Sequence, residues 1–397
     1  MKVLLIDVNC KSGSTGKITY DLHKKLIKDG YQSVICYGRG KKIQEEHIYK
    51  ISTSIEVYFH ALMTRITGLT GCFSFFSTHK LMRFIKKFKP DVVHIHELHG
   101  YFVNIKPVIN YLKENKIKTI WTFHCEFMYT GRCGNSCNCV KWKTQCGNCP
   151  NINEYPASLF FDFSKKMWTE KEKMFKGFDT LTIVTPSKWL NERARKSFLY
   201  DKPILIVNNG IDTKKTFYPR ANNSFKEKLK LANEKIVLAV APDIMQERKG
   251  GKWILKLAEK FNNEQVHFIL VGVEDMNYVA EQNVTIIHRT ENQDELAQYY
   301  SMADVFVICS VIENFPTVCL EALACGTPIC GFDVGGTKET APGELGTFVP
   351  YGDIEALSEA VRDRLNKGKD SERCAEYARQ NYSKEKMYEE YKKLYLA

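Results

Sequence analysis

The sequence predicts an α/β protein made of two doubly wound parallel sheets in series. Three observations predict it. Short apolar runs alternate with amphipathic helices, as parallel strands joined by crossover helices do. The alternation runs through residues 3–186 and restarts after residue 204. At 397 residues the chain is too long for one ordinary core and comfortable for two.

The first strand is V3-L-L-I-D-V8, followed by the loop N9-C-K-S-G-S-T-G16 and a helix from Ile18 to Lys28. Further strands are S33-V-I-C-Y37, D91-V-V-H-I-H96, K118-T-I-W-T-F-H124 and L181-T-I-V-T-P186. The second series begins after I204-L-I-V-N-N-G-I-D212. Its strands are I236–A241, H267–G272, T285–H288, D304–S310 and P328–D333, with helices at Gly251–Phe261 and Leu320–Cys325. The expected domains are residues 1–203, interrupted by a Cys-rich insert at 125–156, then residues 204–380, then a last helix within 381–397.

An apolar fraction of 44% is that of a soluble globular protein. No apolar run reaches the roughly 18 residues of a membrane helix. The opening M-K-V-L-L-I-D-V reads as a buried strand rather than a signal peptide, so a cytoplasmic location is expected. The net charge of +11 is uneven. Residues 1–200 hold 32 Lys and Arg against 16 Asp and Glu; the rest hold 25 against 30. The basic half suits an anionic partner: nucleic acid, a membrane surface or a phosphate-bearing substrate.

The stretch S310-V-I-E-N-F-P-T-V-C-L-E-A-L-A-C-G-T-P328 carries Glu313 and Glu321, eight apart. Ligands of doubly wound sheets bind at the carboxyl ends of the strands, and two such domains form a cleft there. Glu313 directly follows a strand, and Glu321 lies about one turn into the next helix. Asn314, Phe315, Thr317 and Val318 open that helix, and its N–H groups suit an anion. A phosphate between two carboxylates suggests a nucleotide sugar, with one glutamate on sugar hydroxyls and the other on the ribose diol.

This stretch, with N208-N-G-I-D212, G335-G-T-K-E339, T185-P-S-K-W-L190 and the opening Gly loop, resembles the retaining glycosyltransferases of family 4. The likeness covers nearly the whole chain. It implies the GT-B fold: two Rossmann-like domains facing across a cleft, with the C-terminal helix crossing back to the first. It implies a nucleotide-sugar donor (UDP or GDP), with Glu313 by the donor sugar and Glu321 on the ribose. Lys249, in R-K-G-G, matches the lysine that holds the diphosphate. The Arg that often precedes it is missing after A239-V-A-P-D243, and Arg248 is the available substitute. Gly13 and Gly16 match the first-loop glycines, and an ordinary turn also explains them. His124 matches the active-site histidine.

H94-I-H-E-L-H-G-Y-F-V-N104 ends the preceding strand. Two histidines on one strand face are compatible with a metal; the preferred reading is an acceptor-facing loop, with His99, Gly100 and Asn104 as candidates. No D-x-D occurs, so cationic side chains and helix dipoles are expected to stabilise the leaving diphosphate, without a catalytic divalent metal. No carboxylate pair suggests double displacement. Retention is then expected by front-face attack, the leaving phosphate oxygen taking the acceptor proton.

Six of the fourteen cysteines fall within residues 125–149. Cys133, Cys139, Cys146 and Cys149, the last two a C-x2-C knuckle with Gly, suit a structural zinc, with Cys137 able to replace Cys139. Free thiols, disulfides or an iron–sulfur cluster are the competing readings. The insert resembles one in bacterial family 4 enzymes of exopolysaccharide and capsule assembly.

The helix T78–P90 is basic and amphipathic: Leu81, Phe84, Ile85 and Phe88 line one side, and the aromatic stretch L69–S77 precedes it. Such a helix can lie on anionic lipid or pack on its own sheet. The charge, the aromatics and the family's usual role together suggest transfer to a lipid-linked oligosaccharide, on the inner face of the cytoplasmic membrane, in capsule, exopolysaccharide or O-antigen synthesis. A small soluble acceptor or a catalytically inactive scaffold are the alternatives. Nucleic-acid binding is not expected, because the insert holds few cations.

Overall fold

The computed structural model describes every residue except 222, 232, 277 and 279–281. The chain divides into two compact units: residues 1–207 with 388–397, and residues 208–387.

The first unit carries seven strands: β1 (Lys2–Asp7), β2 (Gln32–Tyr37), β3 (Ile48–Lys50), β4 (Val92–Ile95), β5 (Lys118–Thr122), β6 (Leu181–Thr185) and β7 (Ile204–Ile206). All pair in parallel, in the order β3-β2-β1-β4-β5-β6-β7. The second unit has β8 (Lys235–Val240), β9 (Val266–Val271), β10 (Val284–Ile287), β11 (Val305–Ile308), β12 (Ile329–Phe332) and β13 (Gly346–Val349). These are also parallel, in the order β10-β9-β8-β11-β12-β13. Helices flank both sheets, so central strands such as Leu4-Leu5-Ile6 and Phe268-Ile269-Leu270 are wholly buried.

The shared strand order puts a switch point between β1 and β4 in one unit and between β8 and β11 in the other. Chain connections leave such neighbours in opposite directions, and the loops after them part to form a crevice. That is where each unit can hold a ligand.

Three strands depart from the sequence reading. β3 and β13 are short, partly exposed edges without a continuous apolar run. The run beginning at Ile204, read as the start of the second domain, is the edge strand β7 of the first sheet, with Leu205 and Ile206 exposed. The first unit therefore continues to Val207, and the second to Met387.

The basic helix also differs. It spans Phe75–Phe88, and Leu81 and Ile85 are buried in the core beside Val93 and Ile109. Its apolar side packs inward, so those residues do not face lipid. The last helix, Lys384–Leu396, places buried Tyr391 and Tyr395 in the first unit. Among the described residues, no helix is long and apolar enough to cross a membrane.

Candidate active site

In the second unit, the loops after β8 and β11 meet at the switch point. Lys249 Nζ lies 2.5 Å from Glu313 Oε1, and both side chains are mostly buried. Two glycines fix this pairing. Gly250 has φ +77°, and a Cβ there would fall 1.9 Å from the Cys309 carbonyl oxygen. The β8 loop thus lies directly against the end of β11, and the Val311 N–H donates to the Arg248 carbonyl at 2.9 Å. Gly335, φ +60°, lies as tightly against the Glu313 carbonyl, which accepts the Gly336 N–H at 2.9 Å. Gly335 thus holds the Glu313 backbone directly, and Gly250 brings the loop that carries Lys249 against the end of β11, both in backbone that only glycine allows.

The helix Thr317–Ala324 starts at the same place, after Pro316, which offers no side-chain cap. Its first turn, with Thr317 and Val318, presents N–H groups and the positive end of the helix dipole. Glu321 stands one turn on and accepts a hydrogen bond from Tyr300 Oη at 3.0 Å. Burial and the Glu321 carboxylate push the Tyr300 phenol well up, so it stays a donor. Phe315 is buried against Tyr382, with its carbonyl accepting the Asn209 side-chain N–H; its ring is part of the core rather than open to a ligand. Asn314 is half-buried beside it, and Arg248 is exposed. Arg248 and Lys249 are consecutive residues of a short 3-10 turn, and the ion pair to Glu313 is made by Lys249.

In the first unit, the loops after β1, β4 and β5 meet. Gly13 opens the helix Gly13–Lys28 with φ +68°, and Gly16 approaches the Asn9 backbone so closely that a Cβ would sit 3.1 Å from it. His96 Nδ1 lies 3.0 Å from His124 Nε2, with the rings stacked. His94, below them, bonds Thr122 Oγ1 and Tyr395 Oη. Burial lowers all these imidazoles: His124 to about 4, His94 to about 3 and His96 well below its usual value. They are neutral at physiological pH, so one of the His96–His124 pair donates and the other accepts. His96 Nε2 is buried with no protein partner.

His99 stacks on Phe127 and lies 3.2 Å from Glu97 Oε2. Burial raises the Glu97 carboxyl to about 7 and lowers His99 to about 4. The contact is therefore a hydrogen bond, not an ion pair, below neutral pH. Glu97, His99 and Cys125 bring ligand atoms within 4.8 Å of one another, the one such group among the described residues. Gly100 packs on Val8, where a Cβ would lie 2.0 Å from Cγ2. Asn104 is buried: its side chain accepts the Ser74 N–H and its own N–H donates to Thr78. These bonds make Asn104 a structural tie rather than an open acceptor contact.

The sequence reading missed Asp7, His96 and Tyr300. Asp7 ends β1; burial raises its carboxyl to about 8 while Thr19 and the Val8 N–H bond it. Its one sequence signal is an acid inside an apolar strand.

In the insert, Cys133, Cys139, Cys146 and Cys149 line a cavity of about 20 Å³, room for a single ion or water. Cys137 is exposed and does not line it. Gly131 N–H donates to Cys146 Sγ at 3.1 Å. A hydrogen bond from Cys133 lowers the Cys149 thiol to about 6. Arg132, which also lines the cavity, is buried with Nε and Nη1 unpartnered. Lys171 is fully buried as well, donating to the carbonyls of Phe127 and Thr130.

Comparison with known proteins agrees with this architecture. The family profile "Glycosyltransferase Family 4" matches residues 15–215 and "Glycosyl transferases group 1" matches residues 221–381. The chain is 24% identical over 431 aligned positions to the putative colanic acid biosynthesis glycosyl transferase WcaC of Escherichia coli K12, covering 100% of this chain and 99% of that one. Sucrose-phosphate synthase from Thermosynechococcus elongatus superposes with a TM-score of 0.72 at 18% identity, covering 99% of this chain and 98% of that one. HepE from Anabaena, solved in complex with UDP, gives 0.68 at 14% identity, with 99% of each chain covered. The fold is GT-B, and with one profile spanning half its length the chain is a glycosyltransferase that belongs to family 4.

Proposed function

We propose that the protein transfers a sugar from a UDP- or GDP-sugar to a lipid-linked glycan, with retention, in the assembly of an extracellular polysaccharide. The observation that carries this is the Lys249–Glu313 pair beside the uncapped start of the helix Thr317–Ala324, at the switch point of the second sheet. A diphosphate there would draw Lys249 and take the N–H groups of Thr317 and Val318. Glu321, oriented by Tyr300, suits the two ribose hydroxyls. Glu313 is assigned to the donor sugar. HepE has been solved with UDP and with UDP-glucose, and WcaC is named for colanic acid biosynthesis; both support this reading.

His124 is assigned to the reacting sugar, as the family resemblance implies, with neutral His96 fixing its ring. Gly13 and Gly16 are assigned to backbone contact with the donor, and the His99–Gly100 loop to the acceptor. The anomeric carbon–oxygen bond to the diphosphate breaks, and the acceptor oxygen attacks from the same face. Its proton passes to the departing phosphate oxygen, whose charge Lys249 and the helix N-terminus stabilise.

Cys133, Cys139, Cys146 and Cys149 are assigned to a structural zinc. Four thiolates around a divalent ion form a doubly negative centre, and buried Arg132 and Lys171 are the cations such a centre calls for. The zinc would fix the insert without taking part in transfer.

The test is thermal stabilisation by UDP-, GDP-, ADP- and CMP-sugars, with Glu321→Ala alongside. A shift with one nucleotide class, lost in the variant, supports the donor site. No shift with any of them sinks it.

A further inference from the structure

The helix Ser54–Thr67 is built inside out. Ile55, Tyr58, Phe59 and Leu62 form one stripe at helical spacing, and they are 83%, 75%, 48% and 56% exposed. Its buried residues are the polar Glu56, His60 and Thr64. Each is satisfied: Glu56 accepts the Ser77 N–H, His60 Nδ1 meets Ser74 while its Nε2 accepts the Gly71 N–H, and Thr64 donates to the Leu69 carbonyl. The polar bonds fix the rotation of the helix, so the outward apolar stripe is specified.

Two more segments extend the stripe. Phe75 and Phe76, 61% and 85% exposed, directly precede the Ser77 that binds Glu56. Leu159, Phe160 and Phe161 are 64%, 70% and 51% exposed. They are tied to the helix end: Leu159 N–H donates to the Arg65 carbonyl at 2.7 Å, and the Phe161 carbonyl sits against Gly68. Nine large exposed apolar side chains, five of them phenylalanine, are thus carried by three segments tied to one another. Monomers rarely leave such a patch uncovered.

The charge around it selects the occupant. Residues 54–89 hold a single acid, Glu56, which is buried, and six cations, all exposed: Arg65, Lys80, Arg83, Lys86, Lys87 and Lys89. Lys165 and Lys166 are exposed near the Phe160 segment. Aromatic tips with flanking cations fit the headgroup zone of an anionic bilayer.

We infer that this face is a membrane-insertion surface: Ile55, Tyr58, Phe59, Leu62, Phe75 and Phe76, with the 159–161 loop, enter the interface of an anionic phospholipid membrane. The surface stands on its own contacts; only its purpose, bringing the enzyme to a lipid-linked acceptor, rests on the reading above. Vesicle cosedimentation of the full chain tests it, with phosphatidylglycerol–phosphatidylcholine against pure phosphatidylcholine. Binding to the anionic vesicles, falling at least tenfold in Tyr58→Ser/Phe76→Ser and in Phe160→Ser/Phe161→Ser, is expected. Melting temperatures and nucleotide-sugar shifts of both variants should match the parent, because every altered side chain is exposed. Absence of vesicle binding by the parent, or unchanged binding by both variants, overturns the inference. So does a parent dimer that Phe76→Ser dissociates, which would make the face an interface between copies. Vesicle binding without any nucleotide-sugar shift leaves the surface standing and fails the donor reading.

Discussion

Replacing Gly250 by Ala tests how the Lys249–Glu313 pair is positioned. Two costs follow from the structure. The residue holds φ +77°, which charges a Cβ-bearing residue about 1–2 kcal/mol. The new Cβ would also start 1.9 Å from the Cys309 carbonyl oxygen and 2.6 Å from its carbon, against a floor near 3.0 Å. The carbonyl is backbone at the end of β11 and cannot rotate away. The β8 loop must therefore retreat by about 1 Å, straining or breaking the Val311–Arg248 hydrogen bond, worth about 1 kcal/mol. The sum is about 2–3 kcal/mol, or roughly 4–12 °C for a unit of this size. Gly343→Ala is the control: it also sits at positive φ, +62°, but nothing lies within 4 Å of its Cβ, so only the conformational cost applies. Trp253 is the single tryptophan of the second unit, and its backbone N–H donates to the Gly250 carbonyl, so its fluorescence reports on this loop. Urea unfolding of both variants gives the comparison. Equal losses for the two, with a full nucleotide-sugar shift retained in Gly250→Ala, would refute the clash argument.

Tyr300→Phe removes the donor that orients Glu321 while keeping the ring, and should weaken nucleotide-sugar affinity about five- to tenfold in a titration, with little change in melting temperature. Asp7 has a folded-state pKa raised from 3.8 to about 8, so its contribution to stability is fully present below pH 4 and is lost as pH rises to about 8. Asp7→Asn should flatten the fall of melting temperature over that window, removing up to about 1.4 kcal/mol per pH unit; an unchanged pH profile would count against a protonated Asp7. Cys149→Ser should abolish a bound zinc of about one per chain, measured by elemental analysis, whereas Cys137→Ser should retain it. Equal zinc in both variants would reject the ligand set.

The candidate site of the second unit was legible because most of it is local. Glu313, Thr317 and Glu321 share one stretch in which an apolar run fixes a strand end and the next residues open a helix. Lys249 entered by likeness alone, since no spacing along the chain shows that β8 lies beside β11. The same limit hid the contacts of His96 with His124 and of the Glu97 N–H with Asp7, which need β1, β4 and β5 side by side. Ile55, Tyr58, Phe59 and Leu62 expose a different limit. Their spacing is that of any core-facing helix, and periodicity does not say which way the stripe turns. Only the bonds of Glu56 and His60 to residues 71–77 settle the rotation. The ties of Asn104 were hidden for a related reason: Ser74, which bonds its side chain, and Thr78, which accepts its backbone N–H, lie about 30 residues upstream.

Tyr391 and Tyr395 complete the first unit: the phenol of one reaches Thr122, that of the other reaches His94, and Lys118 takes the Tyr395 carbonyl. These tyrosines are made only after the second unit. The ribosome must add the whole of Asn208–Met387 between the two pieces of that unit, a delay of roughly 10–40 s at ordinary elongation rates. Through that interval the nascent first sheet has β4 and β5 in place but lacks the groups that seal His94 and Thr122. The native arrangement under His96 and His124 can then form only once Tyr391 and Tyr395 have been made, so a product ending before Tyr388 should be held as an incomplete first unit and exposed to cellular quality control.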